Sequence, residues 1–417
     1  MDPGIYRGIP NDQYHHGVGI SKSGLDLVRK SPAHYRAVVT AANDNERKST
    51  PAQAIGTALH MIVLEPELFA KTYTLALQRS DVPEAIDDRE QLVAMVQELN
   101  AGRLPKLPTT GAKAEIVSRI VAAYGEHAGQ GAEFHAHTPD ELAAMKGAEL
   151  SAILKGLNDL RPGLLPISGS RHDLAEILRA NGKPVTLWSD VQAEWLANNG
   201  HRQVLTAEQF EQLRNMRDAI QAHPAASKLL AGAGEAELSA YWMQTIMDPL
   251  TGEVIGEELC RVRPDYLRHD GIVVDLKTTE DAGEEEFQRS IAKWAYHVQD
   301  DYYLRGISQA REHGAFEYND LTGEITPINS ELQEPRAFVF IAVEKSARVV
   351  DGQAMGVGVY RLDDESRALG RQQWKADLAR YAECKNTGEW PGYSPKIRQI
   401  KLPAWQFTRA AAQVPSD

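Results

Sequence analysis

Apolar and polar positions change their spacing along the chain, and the changes mark its elements. Residues 20 to 36 (ISKSGLDLVRKSPAHYR) and 52 to 65 (AQAIGTALHMIVLE) repeat apolar positions every three to four residues, which predicts helices. Ser23 with Asp26 three residues on reads as a shortened capping box. Pro32 reads as a stop or second start, and Pro66 as the end of the second helix. Ala54, Gly56, Thr57 and Ala58 give that helix a side of small residues for close packing. Residues 206 to 231 read as helical, with Thr206 capping and Pro224 interrupting. The spacing then shortens toward two. Strands are predicted at 237 to 245, 259 to 267 and 272 to 279, with a turn at 248 to 253. Asp270-Gly271 between apolar runs is a hairpin signal. A helix at 285 to 306, strands at 337 to 345 and 355 to 363, and a helix at 365 to 384 complete the order. Helices interleaved with strands in this way predict an α/β core.

Residues 85 to 183 follow a different pattern, an internal repeat. The segment from Leu92 aligns without gaps on the segment from Leu150, at an offset of 58. Leu92/Leu150, Leu99/Leu157, Asn100/Asn158, Pro108/Pro166 and Gly111/Gly169 are identical pairs. Each copy reads as helix, proline-containing loop, basic helix opening, helix. The chain therefore divides into core segments 1 to 84 and 184 to 417, with an all-helical insertion at 85 to 183. The repeats occupy about 90 to 121 and 148 to 180. Leu107, Pro108, Gly111 and Lys113, and again Leu165, Pro166, Gly169 and Arg171, resemble the signature of the SAP module, a small DNA-binding helix–loop–helix. The resemblance implies that Lys113 and Arg171 meet DNA phosphates at helix N-termini. A hairpin duplicated for packing is the alternative.

Composition narrows the function. The 417 residues are 42% hydrophobic and 25% charged, which excludes a disordered, collagen-like or disulfide-scaffold chain. No apolar run reaches the roughly 18 residues of a membrane span, so no membrane association is expected. The N-terminus lacks the basic and apolar regions of a secretory signal. Cys260 and Cys384 are too few for a disulfide framework or a four-cysteine metal site, and a reducing cytosol fits. The net charge of −13 argues against non-specific coating of nucleic acid, but allows a local basic groove. No Gly-x-x-x-x-Gly-Lys-Ser/Thr loop is present, so no ATP-driven helicase is encoded. His15-His16 and His135-x-His137 lack companion ligands and read as surface residues. Lys396, Arg398 and Lys401 alternate with Ile397 and Ile400 ahead of Trp405, as a solvated strand face or a basic edge.

The chemistry centres on Asp265, with Asp275-Leu276-Lys277 ten residues later. Alternate residues of a strand share a face, so Asp275 and Lys277 point together and Leu276 points away. The hairpin brings Asp265 beside them. Two carboxylates suit Mg²⁺, with water completing the shell. A neighbouring lysine can position or deprotonate water, or neutralise charge on a phosphate. A cross-strand ion pair is the alternative reading of Asp-x-Lys.

Six segments in order extend this set: Ile20-Ser21-Lys22-Ser23, Gly56-Thr57-Ala58-Leu59-His60, Glu237-Leu238-Ser239-Ala240-Tyr241-Trp242, Arg263-Pro264-Asp265, Asp275-Leu276-Lys277-Thr278-Thr279 and Tyr296-His297-x-Gln299-x-x-x-Tyr303. Together they resemble the RecB-like branch of the PD-(D/E)xK nuclease superfamily, in particular the phage-type exonuclease VIII (RecE) family. The resemblance covers about residues 5 to 80 and 185 to 410. It implies an α/β restriction-endonuclease-like fold, a central mixed sheet flanked by helices. It also implies a Mg²⁺-dependent exonuclease, with Mn²⁺ as a substitute, that degrades linear duplex DNA 5′ to 3′ and exposes 3′ strands for annealing recombination. A single-strand annealing protein, a ring-like homo-oligomer, a phage or prophage origin and the cytoplasm of a bacterial host go with it. Under the resemblance Asp265, Asp275 and His60 are metal ligands, Lys277 is the catalytic lysine, and Glu237 is a further acid of the site, with Glu235 its less favoured substitute. Gln299 and Tyr303, one helical turn apart, contact the DNA backbone or hold the site's strands. The insertion is not part of that family's core. Two competing readings are a non-catalytic DNA-end-binding module and an endonuclease of the same superfamily.

Overall fold

The computed structural model describes residues 1–41, 50–127, 137–248 and 251–402. The chain forms two compact units. One is Met1–Leu75 with Val204 onward, and the other is Ala76–Gln203. Its strands are β1 (Gly4–Arg7), β2 (Tyr73–Leu75), β3 (Gln203–Leu205), β4 (Gly234–Ala236), β5 (Ser239–Met247), β6 (Val254–Val262), β7 (Tyr266–Arg268), β8 (Ile272–Thr279), β9 (Ala315–Tyr318), β10 (Ile325–Ile328), β11 (Ala337–Val350) and β12 (Gln353–Tyr360).

The first unit is built on two five-stranded mixed sheets, ordered β10-β9-β1-β5-β6 and β12-β11-β8-β7-β4. One antiparallel ribbon feeds both. Its upper half, β5 against β6, belongs to the first sheet, with Ala240 opposite Val262. Its lower half, β4 against β7, belongs to the second, with Ala236 opposite Tyr266. The ribbon breaks between the halves, at Glu237-Leu238 on one strand and Arg263-Pro264-Asp265 on the other. The single strand predicted at 259 to 267 is therefore two. Pro264 has no N–H to give a ladder, and the chain changes sheets there. Glu237 bends the opposite strand with φ of 53, and its N–H still reaches the Asp265 carbonyl at 3.2 Å.

Strand β8 is buried on both faces. Val273 joins Phe338 and Phe340 of β11 on one side, while Val274 and Leu276 pack with Ile341, Val343 and helices Pro51–Leu64 and Ala207–Ala222 on the other. Helix Tyr296–Arg311 is clamped by helix Asp364–Thr387. Arg367 pairs with buried Asp300, while Arg371 and Trp374 bond Asp301. A Cβ at Gly370 would lie 2.0 Å from the His297 carbonyl oxygen, so only glycine admits this approach.

Local readings shift in four places. Ser21, not Ser23, caps helix Lys22–Lys30, accepting from the Gly24 N–H. Asp26 instead pairs with Lys22 and Arg29. The helix predicted at 285 to 306 is two, Glu284–Trp294 and Tyr296–Arg311, because Ala295 takes φ of 53. Strands β1, β9 and β10 were too short to show a period. Lys396, Arg398 and Lys401 lie outside any strand among the described residues, and Trp405 and His135 fall outside those residues.

The second unit is helical and wider than the 85 to 183 read from the sequence. Ile86 bridges Leu187, and Val185 and Leu187 join the Leu92–Leu174 cluster. Within it the two repeats exchange their first helices. Helix Arg89–Asn100 of the first copy packs on helix Arg171–Ala180 of the second, through Leu92, Val96, Leu174 and Leu178. Helix Gly147–Asp159 of the second copy packs with helix Lys113–His127 of the first, through Leu150, Leu154, Leu157 and Ile120. The hydrogen bonds are reciprocal. The Asn100 side chain accepts from the Leu165 N–H at 2.7 Å and donates to its carbonyl at 3.0 Å. Asn158 does the same to Leu107, at 2.7 and 2.9 Å. Arg103 donates to the Gly163 carbonyl, and Arg161 to the carbonyl of its counterpart, Pro105. The helix–loop–helix read within each copy is thus closed between copies.

This arrangement makes a positional prediction. Removing one asparagine leaves two backbone groups without their partner, at a cost of about 1 to 3 kcal/mol. In Asn158→Ala, hydrogen exchange should accelerate at the Leu107 amide and leave Leu165 protected. Acceleration at Leu165 instead would mean that each copy closes on itself.

Candidate active site

The ladder between β7 and β8 runs only from Leu267/Val273 to Tyr266/Val274. Beyond it the Leu276 peptide groups face an edge that no strand covers, and two side chains take them. Asp265 Oδ2 accepts from the Leu276 N–H at 2.7 Å. His60 Nε2 lies 3.0 Å from the Leu276 carbonyl oxygen, so that nitrogen carries the proton and donates. The His60 Nδ1 lone pair is then turned toward Asp265 Oδ1, 3.5 Å away. His60 projects from helix Pro51–Leu64, which starts in a capping box of Thr50 and Gln53. The helix packs beside β8, where a Cβ at Gly56 would lie 3.4 Å from Thr278 Oγ1.

Asp275 and Lys277 project together from the other face of β8, as their spacing predicts. Asp275 is 1% exposed. Its Oδ1 accepts from Gln299 Nε2 at 2.6 Å, and its Oδ2 is ion-paired with Lys277. Gln299 therefore holds the Asp275 strand, and Tyr303, one turn on, lines the same cleft. The Lys277 ammonium also lies 4.9 Å from the centre of the Tyr296 ring. The cleft has a volume of about 700 Å³ and takes in His60, Glu237, Asp265, Asp275, Lys277 and Gln299.

Glu237 stands at the break in the ribbon, half-buried in its left-handed conformation. Ligand atoms of His60, Glu237 and Asp265 all lie within 4.8 Å of one another. Asp275 is outside this triplet, and its oxygens are engaged by Gln299 and Lys277. Burial and the nearby Asp265 carboxylate push Glu237 up to about 8, against the pull of Arg263. Burial likewise pushes Asp275 up to about 6, with Asp265 adding to it and Lys277 opposing. Burial disfavours the charge on Lys277, but Asp275 and Asp265 outweigh it and hold the ammonium above its ordinary value. Crowded carboxylates, one of them strained, beside an imidazole nitrogen with a free lone pair suit a divalent cation of the oxygen-preferring type.

Other assignments fare differently. Glu235 turns away, to Arg7 and His269. His15, read as a surface residue, is exposed and also lines the cleft. Lys113 is exposed at the start of its helix in the second unit. Arg171 occupies the equivalent position and donates to both the carbonyl and the carboxylate of Asp87. Among the lining residues without an assigned role are Lys22, Glu65 and Arg263. Lys22 and Arg263 sit inside motifs already noted. Glu65 lies past the helix end, where no local pattern marks it.

An Asp…Asp-x-Lys set at the strand break and on the central strand of a mixed sheet flanked by helices defines a PD-(D/E)xK fold. Residues 185–403 match the model of the PDDEXK-like domain of unknown function DUF3799. The match covers more than half of the chain, and the chain belongs to that family. No curated protein matches it. A crystal structure of a "putative exonuclease" from Eubacterium rectale is similar at 12% identity and a TM-score of 0.28, over 81% of this chain and 96% of that one. No helix among the described residues is long and apolar enough to cross a membrane.

The raised carboxyl groups predict a pH dependence. Without a cation, the folded chain keeps the Glu237 proton between the ordinary value of 4.5 and about 8, whereas the unfolded chain has lost it. The folded state binds more protons across that window, so stability falls as pH rises through it and is fully present below it. The melting temperature of the metal-free protein should decline from about pH 5 to about pH 8. Glu237→Gln should flatten the slope. An unchanged slope in that variant would place the proton elsewhere.

Proposed function

We propose that this protein is a metal-dependent DNA exonuclease acting on linear duplex ends. One observation carries the reading: the Leu276 peptide pins Asp265 and His60 at the strand edge where Asp275 and Lys277 emerge. Asp265, Glu237, His60 and Asp275 would hold the cation, Mg²⁺ by preference. A bound divalent cation supplies a Lewis acid that acidifies water and offsets charge on the phosphate.

The chain's own residues supply the rest. Lys277 stays an ammonium, so it acts as a donor to a phosphate oxygen or to the attacking water rather than as a base. Gln299 keeps Asp275 turned into the cleft, and the Leu276 N–H holds Asp265 in one rotamer. Hydrolysis adds water across a P–O bond, leaving one phosphate monoester and one hydroxyl. The resemblance of the ordered motifs to the exonuclease VIII (RecE) family supports 5′ to 3′ digestion, a ring-like oligomer and a single-strand annealing partner. The exposed Lys113 supports a DNA contact on the helical unit, more than Arg171, whose charge is met by Asp87.

Digestion of linear duplex labelled at the 5′ or the 3′ end tests the reading. With Mg²⁺, early release of 5′ label is expected, with closed circles left intact. Lys277→Ala should slow release roughly a hundred- to a thousandfold. No release by either protein, with DNA binding retained, would leave a DNA-end-binding module. Cutting of closed circles would make the protein an endonuclease.

A further inference from the structure

The turn between helices Glu284–Trp294 and Tyr296–Arg311 carries side chains that the reading above leaves unused. Ala295 is buried with φ of 53, and this left-handed residue sends its two neighbours in different directions. Tyr296 faces inward, with its ring centre 4.9 Å from Lys277 Nζ and 6.0 Å from Lys22 Nζ. Trp294 faces outward and is 54% exposed. Lys22 Nζ donates to the Trp294 carbonyl at 2.7 Å and so joins the inner residues to the outer one. Lys293 Nζ lies 4.8 Å from the indole centre. From the reaction centre outward, cations and aromatics alternate: Lys277, Tyr296, Lys22, Trp294, Lys293. The acids of that helix, Glu284, Glu285 and Glu286, lie in its first turn, at the end opposite Trp294.

We propose that this turn is a single-strand track leading out of the cleft, on which an unpaired nucleobase stacks against the Trp294 indole while an adjoining phosphate lies on Lys293, with Lys22, held by Asp26 and the Trp294 carbonyl, fixing the turn. A solvent-facing indole with an ammonium beside it matches a base and its neighbouring phosphate in a single strand. Inside a duplex both faces of a base are covered by its neighbours, so beyond the outer face of the terminal pair the indole can take only a base that has left the stack. The cleft therefore receives a frayed or single-stranded end in preference to intact duplex, with little dependence on sequence. This rests on the nuclease reading for the identity of the polymer, but the stacking step is separable from hydrolysis.

The test uses the full chain in chelator with a short single-stranded oligonucleotide carrying terminal 2-aminopurine. Binding should quench the probe. Trp294→Ala should abolish the quench and weaken binding roughly 5- to 150-fold, the range of one base–aromatic stack. Trp294→Phe should restore most of both, which separates stacking from misfolding. A blunt duplex of the same length should bind more weakly and show no dependence on residue 294. Equal affinity and equal quench in Trp294→Ala would overturn the track. So would a change in sedimentation with oligonucleotide affinity intact, since Trp294 would then be a self-association surface. Hydrolysis is assayed separately with Mg²⁺. Trp294-dependent quenching without hydrolysis would sink the nuclease reading and leave the track standing. Hydrolysis that ignores residue 294 would do the reverse.

Discussion

The site depends on one peptide group. The Leu276 N–H and C=O emerge where β7 has left β8, and they would be unpaired at a sheet edge. Asp265 and His60 satisfy them instead. Backbone polar groups near a core must find partners, so the need to complete a ladder becomes the means of fixing a carboxylate and an imidazole. The Leu276 side chain, 1% exposed, locks the same residue into the core from the opposite face. The strand cannot slip by one residue without moving Asp275 and Lys277 into that core and Leu276 out of it.

The break in the ribbon has a second consequence. Strand ends from two sheets meet there and bring Glu237, Asp265 and Asp275 closer than like charges tolerate. The chain offsets this in three ways. Lys277 pairs with Asp275, Arg263 lies buried near Glu237, and Glu237 keeps its proton at neutral pH. The ammonium and the proton answer the same excess of negative charge that a divalent cation would answer. Arg263 is itself tied to Ser239 and the Ile9 carbonyl, so its position does not depend on the acids it balances.

The helical unit shows a different use of duplication. Its repeats keep the residues of a self-contained helix–loop–helix, but each asparagine clamps the loop of the other copy. A hydrogen-bonding asparagine serves equally well for a loop in its own copy or in its twin, since both copies carry Leu-Pro at that place. Only the path of the intervening chain chooses between them. The exchange also separates the two signature cations chemically. Arg171 meets Asp87 at the foot of the helix it packs against, whereas the second copy carries the uncharged Met145 at the place of Asp87 and offers Lys113 no matching acid.

Local pattern alone determined a good deal about this protein. The strands around Asp265 and Asp275-x-Lys277, the hairpin at Asp270-Gly271, the amphipathic helices and the repeat were all legible, because each depends on residues a few positions apart. The pairing of Asp275 with Lys277 followed from the two-residue period of a strand. Tertiary structure decided the rest. It decided that the strand breaks at Pro264 and that the helix breaks at Ala295. It gave Gln299 to Asp275, set Glu237 beside His60 and Asp265, and crossed the two repeats. Those outcomes join residues tens to hundreds of positions apart. No local period encodes them, since they arise only when separate elements compete for the same buried space and the same unpaired backbone groups.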